Sequence, residues 1–149
     1  MMGKIDFTDQ YFMQQALKQA KEPLDKDEVP VGAVVVSEGT IIAKAHNMTE
    51  TLNDVTAHAE MLAITAAAEQ LGSKYLPNCT LYVTLEPCTM CAGAINWAQI
   101  GRIVFGAEDE KRGFQRLNPS PLHPKTSITS GILKEDCMTL LKQFFAAKR

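Results

Sequence analysis

Thr80-Leu81-Tyr82-Val83-Thr84-Leu85-Glu86-Pro87-Cys88-Thr89-Met90-Cys91-Ala92-Gly93-Ala94-Ile95-Asn96-Trp97 is the stretch from which the rest of the chain can be placed. Thr80 to Leu85 alternates and is β-prone, which predicts a strand. Pro87 stops it, because proline brings no backbone donor to a ladder. Cys88 to Trp97 is mostly apolar and predicts a helix that opens at the cysteines. A strand running directly into a helix is one unit of an α/β fold. Cys88 and Cys91 lie one helical turn apart, so both sulfurs face one side. The N-terminus of a helix favours anions, which suits thiolates.

A second stretch, Thr56-Ala57-His58-Ala59-Glu60, opens another apolar helix. It offers one imidazole and one carboxylate. His58, Cys88 and Cys91 make three ligands of the kinds zinc takes. Three protein ligands with an open position mark a catalytic zinc, whereas a structural zinc closes its shell with four. Two thiolates cancel the charge of Zn²⁺, and the neutral centre still acidifies a bound water. Glu60 is two residues from His58, and on a helix such residues project to different sides. That separation suits proton transfer to and from the water better than ligation. A lone C-x-x-C also fits a redox pair or two core cysteines, and a lone H-x-E carries little. Together, with Pro87 before the first cysteine, they are the H-x-E…P-C-x-x-C signature by which zinc-dependent nucleobase deaminases are recognised.

Working outward, Asp9 to about Lys21 predicts a helix, with Thr8 or Asp9 as its cap. Glu22 to Pro30 is a charged loop, expected to be a solvated surface. Val31 to Val36 and Ile41 to Ala45 predict a hairpin around Ser37-Glu38-Gly39-Thr40. A polar loop follows, from His46 and Asn47 to Val55. Ala57 to Leu71 predicts a largely buried helix, capped by Thr56 and ended by Gly72. Arg102 to Phe105 predicts a strand closed by Gly106, then a long loop from Ala107 to Lys125 with three prolines. Ile128 lies in a short segment of undetermined type, and Lys134 to about Ala147 is a final amphipathic helix. Strands alternating with helices predict a sheet with helices on both faces.

With 149 residues, 46% hydrophobic and 21% charged, the chain has the composition of one soluble globular domain spanning 1–149. The net charge of −2 does not suggest a globally basic nucleic-acid surface. No apolar run approaches the roughly 18 residues of a membrane span. Met1 to Gln10 lacks the shape of a signal peptide, so a cytoplasmic location is expected. Cys79 and Cys137 read as small buried residues rather than ligands.

Several further segments resemble the bacterial tRNA-specific adenosine deaminase family, within the cytidine deaminase-like superfamily. They are Val29-Pro30-Val31-Gly32-Ala33-Val34, His46-Asn47, Thr56 to Glu60, Leu81 to Cys88, Met90 to Ala94 and Gly101 to Ala107, with Phe144-Phe145 and a basic tail at the end. The likeness covers nearly the whole chain. It implies a three-layer α/β/α sandwich with a five-stranded mixed sheet, and a homodimer with one zinc per subunit. It implies hydrolysis of the wobble adenosine of a tRNA anticodon to inosine, releasing ammonia. By position, His58, Cys88 and Cys91 hold the zinc and Glu60 shuttles protons. Asn47 hydrogen-bonds the base, Val29 lines its pocket, and Asp109 sits near the substrate nucleotides. The anticodon stem-loop is the expected partner, with contacts sought at Lys111, Arg112, Arg116, Lys142, Lys148 and Arg149. Phe144 and Phe145 either stack on a base or belong to the core.

Two other readings compete. A deaminase of a free base or nucleoside (guanine, cytosine or cytidine) would use the same zinc chemistry. The acidic balance favours it, as does a 107–125 loop that looks shorter than in the best-known family members, with Asn118-Pro119-Ser120-Pro121 replacing part of it. A non-catalytic zinc module would need a fourth ligand, from Cys79, Cys137 or His46, and would leave Glu60 without a role.

Overall fold

The structure, a computed structural model, describes residues 8–23 and 27–148. Its elements are α1 (Asp9–Lys21), β1 (Gly32–Ser37), β2 (Thr40–His46), α2 (Ala59–Leu71), β3 (Cys79–Leu85), α3 (Thr89–Ala98), β4 (Arg102–Ala107), β5 (Ser127–Ser130) and α4 (Lys134–Ala147). The strands form one mixed sheet in the order β2-β1-β3-β4-β5. β1 is antiparallel to β2 and β3, while β3, β4 and β5 run parallel.

Both faces of the central strands β1, β3 and β4 are buried, and the period of two along each strand divides its residues between them. Ala33, Val35, Leu81, Val83, Ile103 and Phe105 join Ala59, Ala63, Ala67, Ala92 and Ile95 of α2 and α3 in one core. Val34, Val36, Tyr82 and Val104 join Phe12, Met13, Ala16, Leu17, Cys137 and Leu140 of α1 and α4 in the other. Each Val, Leu, Ile or Phe so buried contributes about 1.5–3 kcal/mol relative to exposure. The result is the expected three-layer α/β/α sandwich.

α1 begins where its cap predicts, with Thr8 Oγ1 accepting from the Tyr11 N–H at 3.3 Å. Asp9 receives both guanidinium nitrogens of Arg102, at 2.9 and 2.6 Å, and the Tyr82 hydroxyl at 2.7 Å. That cluster fastens the helix to β3 and β4. Gly32 permits the close packing of α1 on β1, since a Cβ there would run into the Ala16 carbonyl and Ala20 N.

Three expectations are corrected, and one undetermined segment is resolved. Gly106 does not close β4 but lies inside it, because α4 packs so near that a Cβ would meet the Cys137 Sγ. Ile128 belongs to β5, a parallel edge strand paired with β4. α2 starts at Ala59 and is capped by His58, with Thr56 instead tied to Asp54 Oδ1. Nor is α2 largely buried: its buried residues are Ala59, Glu60, Ala63 and Ala67, and Leu71 is 45% exposed. The loop after β4 crosses the α2/α3 face, carrying Phe114 and Leu122 into that core. Among the described residues no helix is long and apolar enough to cross a membrane.

Candidate metal centre and substrate cleft

The topology delivers four segments to one end of the sheet. Gly32 stands opposite His46, Ala33 opposite Val83, and Leu85 opposite Ala107. The residues before β1, after β2, after β3 and after β4 therefore meet there. α2 and α3 also begin there, at His58 and Cys88, which are their N-caps. A ligand at each cap aims two sets of unpaired helical N–H groups at one spot, a favourable setting for thiolates.

His58 Nδ1 lies 3.5 Å from the Cys91 Sγ and 3.7 Å from the Cys88 Sγ. The three ligand atoms lie within 4.8 Å of one another. A tetrahedral zinc with Zn–S of ~2.3 Å and Zn–N of ~2.0 Å separates sulfur from nitrogen by roughly 3.5 Å, so the spacing fits that ion. Among the described residues no fourth side chain joins the cluster. Cys79, Cys137 and His46 stay outside it, which removes the basis for a closed structural site.

Protons in this cluster are shared. A hydrogen bond from Cys91 and one with His58 pull the Cys88 thiol down to about 4 against the cost of its burial. The same bond, with burial, pushes the Cys91 thiol up, since one sulfur holds the proton the other gives away. Hydrogen bonding to Cys88 raises the His58 imidazole. A dication at the centre of the three favours two thiolates and a neutral imidazole. Glu60 is 4% exposed and lies outside the ligand group. Burial pushes its carboxyl up to about 7, partly offset by its own backbone N–H and the charge of His58. A carboxyl near neutrality both takes and gives protons at working pH.

A cleft of 1410 Å³ opens over this centre, with His58, Glu60, Cys88, Val29 and Asn47 along its wall. Asn47 is 7% exposed. Its Nδ2 donates to the Val29 carbonyl at 3.3 Å, while its Oδ1 is buried without a partner. Such an acceptor costs about 1–3 kcal/mol unless a donor reaches it. Asp109, Lys111 and Arg112 form one side of the cleft, and Lys134, Lys142 and Phe145 another. Asp109 Oδ1 accepts from the Lys111 and Arg112 N–H groups at 3.1 Å each, which fixes the backbone of that basic pair along the cleft.

The remaining expected contacts are arranged differently. Phe144 is half-buried and Phe145 is 49% exposed, so neither is core. Their rings meet edge to face at 5.2 Å. Lys148 is engaged with Asp27 and stands over the Phe144 ring. Arg116 is exposed and is not among the residues lining the cleft, and Arg149 lies outside the described residues. His46 and His123 have structural partners, the Asn47 carbonyl and the Lys125 N–H.

Two carboxylates escaped the sequence reading. Glu28, expected to be solvated with the rest of its loop, is fully buried. It accepts from the Glu50 N–H, the Thr51 N–H and the Thr49 hydroxyl. Burial opposes its ionisation, yet these bonds, led by the Thr51 amide, hold its carboxyl below the usual range. Glu86, also 4% exposed, accepts from the Asp109 N–H at 2.9 Å and the Gln115 N–H at 2.8 Å. The position of Glu86, wedged between an apolar strand and Pro87, was the one available signal.

The fold and the open three-ligand centre define a zinc-dependent hydrolytic deaminase. A family model for the cytidine and deoxycytidylate deaminase zinc-binding region matches residues 7–107. The chain is 45% identical to a tRNA-specific adenosine deaminase of Agrobacterium fabrum, over 93% of this chain and 95% of that protein. It superposes with a TM-score of 0.82 and 44% identity on a structure from studies of A-to-I editing by tRNA:A34 deaminases at the wobble position, covering 88% of this chain and 99% of the other. A guanine deaminase of Bacillus subtilis, also 44% identical, matches with a TM-score of 0.62 and only 65% of this chain. The chain belongs to the tRNA-specific adenosine deaminase family.

Proposed function

We propose that this protein hydrolyses the wobble adenosine of a tRNA anticodon to inosine and releases ammonia, residues 1–149 acting as one deaminase domain. The observation that carries the reading is the cleft itself. Its 1410 Å³ exceeds the roughly 300–1,000 Å³ of small-ligand sites. It places a buried, unpaired acceptor, Asn47 Oδ1, beside the metal centre and basic side chains at its edge.

His58, Cys88 and Cys91 would hold zinc, which when bound would supply the Lewis acidity that makes water nucleophilic at neutral pH. Glu60 takes the water's proton and passes protons to the ring nitrogen and the departing amine. Asn47 and Val29 hold the base, and Asp109 orients the loop beside the neighbouring nucleotides. Lys111, Arg112 and Lys142 meet phosphates, and Phe145 offers a face for stacking. Phe144 supports Phe145. Lys148 and Arg149 add charge at the end of the chain. A base in an anticodon loop is already exposed, so extruding it costs little.

We further assign the working unit as a homodimer. Trp97 on α3 is 83% exposed and Leu71 on α2 is 45% exposed, and large apolar side chains left in water suit burial against a second copy. A tRNA substrate places the enzyme in the cytoplasm. The test is incubation of zinc-loaded protein with anticodon stem-loops, with mass spectrometry for inosine at the wobble position. Conversion that weakens steeply with salt supports the reading. No conversion, with good turnover of a free base, overturns it.

A further inference from the structure

Glu86 touches neither the metal triad nor Glu60 by any hydrogen bond, yet it sits where two functional segments meet. Its main chain continues through Pro87 into Cys88. Its carboxylate reaches across to two positions, Asp109 and Gln115, in the first part of the loop that follows β4. Oε1 accepts from the Asp109 N–H and Oε2 from the Gln115 N–H. Three backbone links reinforce the seam. The Glu86 N–H donates to the Ala107 carbonyl at 2.8 Å, the Phe114 N–H to the Pro87 carbonyl at 3.0 Å, and Cys88 pairs with Gly113 in an isolated bridge.

Gly113 is shaped to this carboxylate. Its φ is ordinary, −65°, so no turn demands glycine there. A Cβ would instead strike the Glu86 carboxylate. The span so enclosed, 109–115, carries Asp109, Lys111 and Arg112 on the cleft wall. Asp109 then holds the Lys111 and Arg112 amides in turn. A route of hydrogen bonds therefore runs from the segment bearing the cysteines to the basic rim of the cleft.

We propose that Glu86 is a positioning residue for substrate selection: it registers the 109–115 rim against the cysteine-bearing segment, so that a polynucleotide bound on the rim presents its base at the metal centre. The proposal rests on the function argued above. It separates two tasks within one cleft. Glu60 serves the chemical step, and Glu86 serves the fit of the polymer around it.

Glu86→Gln keeps size and shape but sets an amide NH₂ against one loop N–H. Gly113→Ala leaves Glu86 intact and displaces its carboxylate. Both variants should keep one zinc per chain and raise KM for an anticodon stem-loop by about tenfold, the effect of losing one hydrogen bond to a charged group. kcat should fall by less than KM rises. Hydrogen exchange in a peptide covering 108–116, measured without substrate, should quicken in both. KM and exchange unchanged in both variants would overturn the proposal. So would loss of zinc together with a fall in kcat at constant KM, which would make Glu86 a support for the ligands alone. If the wild type fails to convert the stem-loop, the functional reading fails, while the exchange measurement still decides whether Glu86 holds the rim.

Discussion

Glu60 and Glu86 line the same cleft and are each 4% exposed, but their surroundings differ. Glu86 divides its two oxygens between two backbone N–H donors. Glu60 meets its own backbone N–H and the thiol of Cys91, and its carboxyl is pushed up to about 7. Equal burial therefore does not assign a role to a carboxylate; the segments it touches do. Backbone amides of a distant loop make Glu86 an anchor, whereas Glu60 keeps to its own backbone N–H and one thiol beside the metal centre. Glu28 lies with Glu86 on this scale, fully buried and bonded to Thr49, Glu50 and Thr51.

The largest expected effect falls on Glu60, the proposed proton shuttle. Glu60→Gln should lower kcat by about 10²–10⁴-fold, the usual contribution of a general acid–base group, while zinc content and stem-loop binding persist. Single-turnover inosine formation and metal analysis read the two separately. Equal rates in the variant would erase the contrast with Glu86. Cys88→Ala sharpens it from the other side, because it should lose zinc and activity together. Zinc retained at one per chain there would mean that the triad is not the metal site.

A smaller effect is expected at Glu28, and it is one of stability. Glu28→Gln leaves at least one buried donor facing an amide NH₂, at a cost of about 1–3 kcal/mol, readable as a lower urea midpoint at pH 7. The folded-state pKa of Glu28 is lowered from 4.5, so its contribution is present above that value and is lost as pH falls through the lower folded-state value. The gap between wild type and variant should accordingly narrow below about pH 4.5. A gap that stays constant with pH would deny the carboxylate its charged role.

The smallest effect on the site is expected far from all three. Trp97→Glu should shift the protein from dimer to monomer in light scattering while zinc stays bound. A monomeric wild type would remove the homodimer, leaving the exposed α2/α3 surface to some other partner.

Much of this molecule is local in origin and was legible as such. The hairpin, α1, α3 and α4 follow from periodicity, caps and turn residues within a few positions of one another. The ligand set was legible because metal chemistry restricts residue type and C-x-x-C fixes spacing. α2 was misjudged because an alanine-rich apolar helix reads alike whether its outer face meets its own chain or another. Gly106 was misjudged because the reason for a glycine there is the Cys137 Sγ of α4, about thirty residues later.

The sequence by itself determined the class of fold, the candidate zinc ligands, the candidate proton shuttle and the family, because each depends on side-chain identity along the chain. Only the tertiary structure decided the uses of Glu28 and Glu86, the course of the 109–115 rim and the exposure of α2. The physical reason is that their partners are backbone N–H groups and distant surfaces. A backbone amide is the same at nearly every position, so no residue type announces which carboxylate it will meet.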